Sequence, residues 1–390
     1  MLDIAIVGGG LCGLALAHSL QARGHDWRVF EAANMLGGRV RTVRTAAGAA
    51  LDLGAAWYWP ATQLAITRLV DDLRLDSFEQ VDDGRLLHLS DPNRAPRTVA
   101  LTAQGVPAHD PSAPATAGAV HGGARRVAGG MASVTFALAR PLPPARLRLG
   151  HRLTALIDHG DFVELQFSAD GASFSVQARR VVLALPPRVA EAGVRFTPEL
   201  TPDLRAALQA TPTWMATAAK AGFAYTRAFW REDGHTGNAW VSHAQAMLAE
   251  VFDASGPRED QAALVGFVAL NAAQREQFTR GRELLLESQL VQLFGPQAAD
   301  PALQRERVWQ DWATEPATCS PADLAELALP ASSHPRYGDA LLGREHWQGR
   351  LHFGGSETAR QGGGYLEGAL NAAGRLRKQL LGSAVSTLRP

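Results

Sequence analysis

The chain has 390 residues, 46% of them apolar and 19% charged, and its 38 basic side chains are balanced by 38 acidic ones. That length supports two domains with substantial cores, the composition is globular rather than disordered, and the absent net charge gives no electrostatic footprint for a nucleic-acid partner. Two cysteines, Cys12 and Cys319, are too few for a disulfide framework, and no run of about 18 apolar residues free of charges and breakers is present to span a membrane.

The sequence starts MLDIAIVGGG, with no basic flank ahead of a cleavable apolar segment, so the expectation is a cytoplasmic protein. Residues 3–7, DIAIV, read as a buried strand, GGGLCG as a turn, LALAHSLQAR as a helix closed by Gly24, and WRVFEA as a second strand. Gly8, Gly10 and Gly13 thus sit in a strand, turn, helix, strand unit with an acid, Glu31, at the end of the second strand. That context points to dinucleotide binding. The first glycine permits a tight turn, the second lets backbone approach a pyrophosphate, the third lets helix and strand pack closely, and the acid receives the ribose hydroxyls.

TQLAITRLVDDLRLD, residues 62–76, has helical periodicity, whereas residues 90–123 are rich in Pro, Ala, Gly and Ser and read as a long surface excursion without repeats. GGMASVTFALARPL then resumes a helix, VELQFSADGASFSVQA alternates as a hairpin around Asp170 and Gly171, and RRVVLALPP reads as a strand ended by Pro186 and Pro187. Strands near Lys220 and at ALVGFVAL, interleaved with the helical RGRELLLESQLVQLFG, predict an α+β second domain. The twelve histidines show no metal-ligand spacing, and no glycine-elbow nucleophile motif is present.

Lys220 stands out in WMATAAKAGFAYTRAFW because Lys220 and Lys378 are the two lysines of the chain. A desolvated ammonium with a depressed pKa can be neutral or charged as a reaction requires; an edge-strand lysine that reaches back to solvent is the alternative.

Read together, GGGLCG, Glu31, GGRVRT, LDLGAAWYWPATQ, VAGGM, VVLALPP and FGGSETARQGGGYLEGALNAAGR resemble, in order, the flavin-dependent amine oxidases, the family of monoamine and polyamine oxidases. The resemblance covers nearly the whole chain, and its last block is the most specific. It implies an α/β fold: a Rossmann-like FAD-binding domain of the two-dinucleotide-binding type with an inserted α+β substrate domain, monoamine oxidase-like. The FAD-binding domain takes residues 1–76, 122–195 and 338–390, and the substrate-binding domain residues 77–121 and 196–337.

Residue by residue, the resemblance implies that Gly8, Gly10, Gly13, Glu31, Gly38 and Arg39 hold the ADP half of FAD, Arg39 through a phosphate contact. Gly54, Ala55 and Trp57 border the ring and Leu153 offers its backbone to the adenine. Gly355 belongs to the glycine-rich C-terminal loop, and Glu357, Tyr365 and Leu366 lie near the ribityl chain and the ring. Lys220 hydrogen-bonds through a water to flavin N5, and a tryptophan follows it at the family interval, here Trp230. Trp312, in DWATEP, sits beside the flavin. Tyr365 forms one wall of an aromatic pair around the substrate amine. The other wall is missing, because ATCSPAD follows where the family often has an aromatic.

Cys319 lies near where some members attach FAD, at a spacing from Trp312 that does not fit, so Cys319 reads as free and FAD as noncovalent. The proline-rich excursion is much shorter than the family's lid-like region, which implies a more open site, a bulky substrate, or a homodimer whose second subunit completes the wall. The implied activity is an FAD-dependent oxidase of a small-molecule amine, producing an imine and, with oxygen, hydrogen peroxide. Two alternatives stand beside it: a desaturase or dehydrogenase of a hydrophobic molecule on the same fold, and a flavin-binding protein without turnover that serves a partner. No arginine is identified that would hold an amino acid's carboxylate.

Overall fold

The computed structural model describes residues 1–46, 48–82, 84–99, 121–258, 260–326 and 334–382. Its first sheet has nine strands. They lie in the order Arg195–Thr197, Arg152–Asp158, Val163–Ala169, Ala172–Leu183, Leu2–Val7, Trp27–Phe30 and Leu147–Arg148. Leu351–Phe353 also pairs with the second half of Ala172–Leu183, in parallel, and Glu345–His346 pairs with Leu351–Phe353. Leu2–Val7 runs parallel to both of its neighbours, as a near-continuous apolar strand covered on two faces should. Its residues alternate between two cores. Ile4 and Ile6 pack with the helices Leu11–Gln21, Ala132–Ala139 and Leu366–Leu381, while Ala5 and Val7 face a cluster built from Leu156, Leu165, Phe167 and Phe353.

The hairpin forms as its sequence predicts. Asp170 and Gly171 both take positive φ, 49° and 77°, the conformation a two-residue turn requires. The strand expected separately from residue 179 is not a separate element. Ala172–Leu183 is one strand of 12 residues whose first half pairs antiparallel with Val163–Ala169 and whose second half lies parallel to Leu2–Val7. The excursion over residues 90–123 also departs from expectation, because Arg97–Val99 is a strand and residues 121–123 form a turn with His121 buried. Residues 100–120, on which the reduced lid was expected, lie outside the described residues.

The second sheet has seven strands in the order Gln304–Asp311, Ala219–Tyr225, Ala262–Val268, Leu248–Asp253, His235–Val241, Arg85–Leu89 and Arg97–Val99. Its strands are antiparallel except for the pair His235–Val241 and Arg85–Leu89. Side-chain alternation decides what each face does. Ala221, Phe223 and Tyr225 pack under the helix Arg282–Phe294 through Leu286, Leu290 and Leu293. Lys220 and Gly222, one step out of phase, point to the other face, against the strand Ala50–Asp52 of the first half. A Cβ on Gly222 would lie 3.1 Å from Leu51 Cδ1 and 2.8 Å from Val308 Cγ2, so the bare backbone lets the two halves close on each other two residues from Lys220. No helix among the described residues is long and apolar enough to cross a membrane.

Candidate active site

Between the two sheets runs a cavity of about 810 Å³, lined at one end by the glycine turn and at the other by Lys220. The turn is built as a tight crossing. Gly8 has φ +110°, and a Cβ on Gly13 would sit 2.0 Å from the Gly8 carbonyl oxygen, so helix Leu11–Gln21 can lie against its strand only with glycine there. Gly13 is therefore beneath the turn and not on the cavity wall. At Gly10 an added Cβ would find protein no closer than 3.9 Å, and the helix it begins has no side-chain cap, so its first N–H groups are left for a ligand. Glu31, buried at 7% exposure, accepts from the N–H groups of Gly9 (2.6 Å) and Ala33 (2.8 Å), which ties the second strand's end to the turn. Burial pushes its carboxyl above the ordinary value. Gly38 and Leu153 complete this end.

Arg39 lines the cavity too, but its fork has a carboxylate for a partner. Nη1 and Nη2 donate to the two oxygens of Glu357 at 2.5 and 3.0 Å, Nη2 donates to the Ser356 hydroxyl at 3.2 Å, and Nη1 to the Trp214 carbonyl at 3.0 Å. Glu357 itself is not in the lining. It is fully buried behind Arg39 and also accepts from Ser356 Oγ (2.7 Å) and the Trp214 N–H (3.2 Å). Burial opposes its charge, yet the Arg39 guanidinium and the Ser356 hydroxyl outweigh that, and the carboxyl is held below its ordinary value. This cluster joins the 37–41 turn, the approach to the Lys220 strand and the C-terminal glycine loop. Gly355, at φ +92°, lines the cavity beside it.

At the far end Lys220 is 5% exposed, in a strand whose seven residues are all buried, which excludes an escape to bulk solvent. Its Nζ donates to the Gly54 carbonyl at 2.7 Å and lies 4.5 Å from the ring centre of Phe267 and 5.6 Å from those of Trp57 and Phe252. Burial pushes the ammonium down to about 8; Asp52 and Glu250 pull it back up and Arg126 opposes them. Gly54 has no room for a side chain, since its Cβ would be 2.0 Å from the Arg39 carbonyl oxygen. Trp57 donates to Gln80 Oε1 at 2.8 Å, and Trp312 donates to the Leu53 carbonyl at 3.0 Å, so the same short loop holds Lys220 and Trp312. Ala55, Trp57 and Trp312 all line the cavity. Trp230 does not; it is a core residue whose indole donates to Asp253.

Tyr365 occupies the residue just before helix Leu366–Leu381 at 40% exposure, without a side-chain capping bond, and Tyr365 and Leu366 both face the cavity. The wall across from the C-terminal loop comes from residues 315–321, with Cys319 6% exposed and its thiol pushed up to about 12 by burial. No aromatic stands there, as the sequence indicates. An aromatic the sequence reading did not assign, Trp214, lines the cavity with its ring centre 6.1 Å from that of Tyr365, and His334 stacks on Tyr365 at 4.7 Å. Arg41 and Glu315, paired at 3.2 Å in the same wall, were likewise not anticipated. Glu315 follows Trp312 in DWATEP, but nothing local to that motif indicates an arginine 274 positions away.

These residues fit a flavin dinucleotide. An uncapped helix start and bare glycines face one end, an aromatic and apolar enclosure with a buried lysine forms the other, and the volume lies within the range of cofactor clefts. Among the described residues no group of histidines, cysteines and acids could hold a metal.

The sequence profile described as Flavin containing amine oxidoreductase matches residues 116–376, and one for an NAD(P)-binding Rossmann-like domain matches residues 6–73. The probable flavin-containing monoamine oxidase A of Dictyostelium discoideum is 23% identical, covering 97% of both chains. The flavin-containing amine oxidase B of Sus scrofa is 25% identical over 97% of this chain and 86% of its own. Among solved structures, a redesigned putrescine oxidase superposes with a TM-score of 0.75 at 22% identity over 98% of this chain and 99% of its own. Cyclohexylamine oxidase from Brevibacterium oxydans gives 0.74 at 21%, over 97% and 98%. The profile spans most of the sequence, and the chain therefore belongs to the flavin-containing amine oxidoreductases, FAD-dependent enzymes that act on a small-molecule amine.

Proposed function

We propose that this enzyme oxidises the C–N bond of an amine to an imine and delivers the electrons to oxygen, with hydrogen peroxide as the second product. The observation that carries the reading is the buried ammonium of Lys220, hydrogen-bonded to Gly54 at the aromatic end of a cavity whose other end is a dinucleotide turn. FAD supplies the redox chemistry when bound: it takes up the equivalent of a hydride from the carbon beside nitrogen and gives two electrons to oxygen. The substrate loses one C–H and one N–H bond, gains C=N, and the imine is then hydrolysed by water.

The protein's part is binding, orientation and proton handling. Gly8, Gly10, Glu31 and Gly38 would hold the ADP half, supported from beneath by Gly13, and the backbone of Leu153 would meet the adenine. Arg39 and Glu357 would act as the brace of that wall. Gly54, Ala55, Trp57, Gly355 and Leu366 would border the ring. Tyr365 and Trp312 would orient the amine, and Lys220 would hold a water and take up or release a proton beside the reacting nitrogen, as an ammonium with its pKa near about 8 can do at neutral pH. Glu315, the carboxylate of the lining outside the Glu31 end, is tied to Arg41, which favours a neutral amine with an apolar body over one with a second ammonium. A buried thiol raised to about 12 is a poor nucleophile, which supports noncovalent FAD. The cofactor domain is assigned to residues 1–76, 122–195 and 338–390 and the substrate domain to 77–121 and 196–337. The two large sheets divide along those lines, apart from Arg195–Thr197, which straddles a boundary.

The test is a peroxide-coupled screen of the purified yellow protein against primary, secondary and polyamines, with oxygen uptake followed in parallel. An amine that bleaches the flavin anaerobically yet yields no peroxide in air would overturn the choice of oxygen. Failure of every amine to bleach it would overturn amine oxidation.

A further inference from the structure

Lys220 does not stand alone on its face of the sheet. Register places Phe267 directly opposite Lys220 on one side and directly opposite Glu250 on the other, so Lys220, Phe267 and Glu250 form one cross-strand row. The ammonium lies over the Phe267 ring, 4.5 Å from its centre. Glu250 is 35% exposed, and its Oε1 lies 3.8 Å from Nε2 of His121. His121 is 6% exposed, stacks on Trp57 with ring centres 4.6 Å apart, and has no partner for Nδ1. One ring therefore touches both the wall of the lysine site and the acid behind it.

We propose that Glu250, beside His121 and across the Phe267 ring from the ammonium, is a counter-charge that together with Asp52 sets the protonation state of Lys220 and so acts as a positioning residue for it. Among the other charged groups facing the lysine, Asp52 acts in the same sense as Glu250 and more strongly, and Arg126 acts in the opposite sense and more weakly. Asp52 accepts from Thr42 Oγ1 (2.5 Å) and the Met131 N–H (2.9 Å) on one oxygen, its other oxygen is buried without a hydrogen-bond partner, and its leading compensating charge is Arg126. Arg126 is itself engaged with the Ser255 carbonyl at 2.8 Å. Asp52 is thus shared between Arg126 and Lys220, whereas Lys220 is the one charge that pulls the Glu250 carboxyl down against its burial. His121 is neutral in the physiological range, since burial, with Arg126 beside it, pushes its ring down to about 4. It stands beside Glu250 without cancelling its charge.

The consequence bears on an amine that arrives as a cation. A charged Lys220 repels it, and a neutral Lys220 can accept its proton; Glu250 helps to fix the pH at which one gives way to the other. This rests on the reading of Lys220 given above, but the decisive measurement does not. Because Lys220 and Lys378 are the two lysines, protein labelled with ¹³C at lysine Cε yields two resonances, with exposed Lys378 as internal reference. In Glu250→Gln the Lys220 midpoint should fall by about 0.5 to 1 pH unit while Lys378 holds still. Glu250→Asp should restore most of the difference, and His121→Phe, which keeps the stack, should move Lys220 the same way by less. The lysine limb of the kcat/KM pH profile should shift with the resonance. A Lys220 midpoint unchanged in Glu250→Gln overturns the proposal. A shifted midpoint with an unmoved kinetic limb sustains the counter-charge and instead removes Lys220 from the proposed reaction.

Discussion

Replacing Arg39 by Met separates two roles that arginine could have. As a phosphate ligand it would matter when FAD is present; as the partner of Glu357 it holds the empty protein together. Met keeps much of the side chain's length and leaves the fully buried Glu357 carboxylate with two of its four donors, Ser356 Oγ and the Trp214 N–H. Removing one partner of a buried ion pair costs about 3–5 kcal/mol, and the surviving donors, with Arg39 itself 24% exposed, put the expectation below that range, at about 2–3 kcal/mol. Glu357→Gln keeps one acceptor and should cost about 1–2 kcal/mol, and the double variant should fall short of the sum by at least about 1 kcal/mol. Urea unfolding of cofactor-free protein measures all three, and quenching of FAD fluorescence gives the affinity of each. If Arg39→Met left the cofactor-free protein within about 0.5 kcal/mol of wild type while FAD affinity collapsed, the bracing role of Arg39 would be wrong and the phosphate role right.

The same pair sets an acid limit. Because the folded carboxyl of Glu357 is held below its ordinary value, its stabilisation is complete above the unfolded value near about 4.3 and is lost as pH falls through the folded one, so Glu357→Gln should flatten the stability profile below about pH 4. Lys220→Met should behave oppositely. An ammonium lowered from 10.5 to about 8 carries a burial penalty of about 3 kcal/mol at neutral pH, so the variant should gain stability, lose the rise in stability between about pH 8 and 10, and still bind FAD; unfolding across pH together with amine turnover tests this. Gly13→Ala sets a Cβ 2.0 Å from a backbone oxygen that cannot turn aside, and the purified protein should be colourless; yellow protein with normal FAD content would contradict the packing role of that glycine.

The parts of the site legible in sequence are those whose geometry is local or whose residue type is rare. Gly8, Gly10, Gly13 and Glu31 fall within one strand, turn, helix, strand unit, where spacing alone fixes who meets whom. Lys220 is conspicuous because arginine is used almost everywhere else. Other features depend on register and long-range closure. Glu250 reaches the Lys220 row only because two strand pairings fall in phase, which no periodicity records. Trp214 is visible as an aromatic near the lysine, but its seat depends on Arg39 and Glu357, which lie 175 and 143 positions away. Glu357 matches its motif yet serves behind the wall, since its partner is likewise fixed only by tertiary packing. The merged strand Ala172–Leu183 escaped because its two halves carry different patterns, alternating where one face is wet and continuous where both are covered.

The cleft is closed by segments from opposite extremes of the polypeptide: Gly8 to Cys12 on one side, Gly355 to Ala369 on the other. During synthesis the glycine turn emerges hundreds of residues before its counterpart, and Leu366–Leu381 must still dock on Leu11–Gln21 before the cleft has two banks. Capture of the flavin is thus a late event of biogenesis, and ribosome-stalled chains ending before residue 351 should retain none.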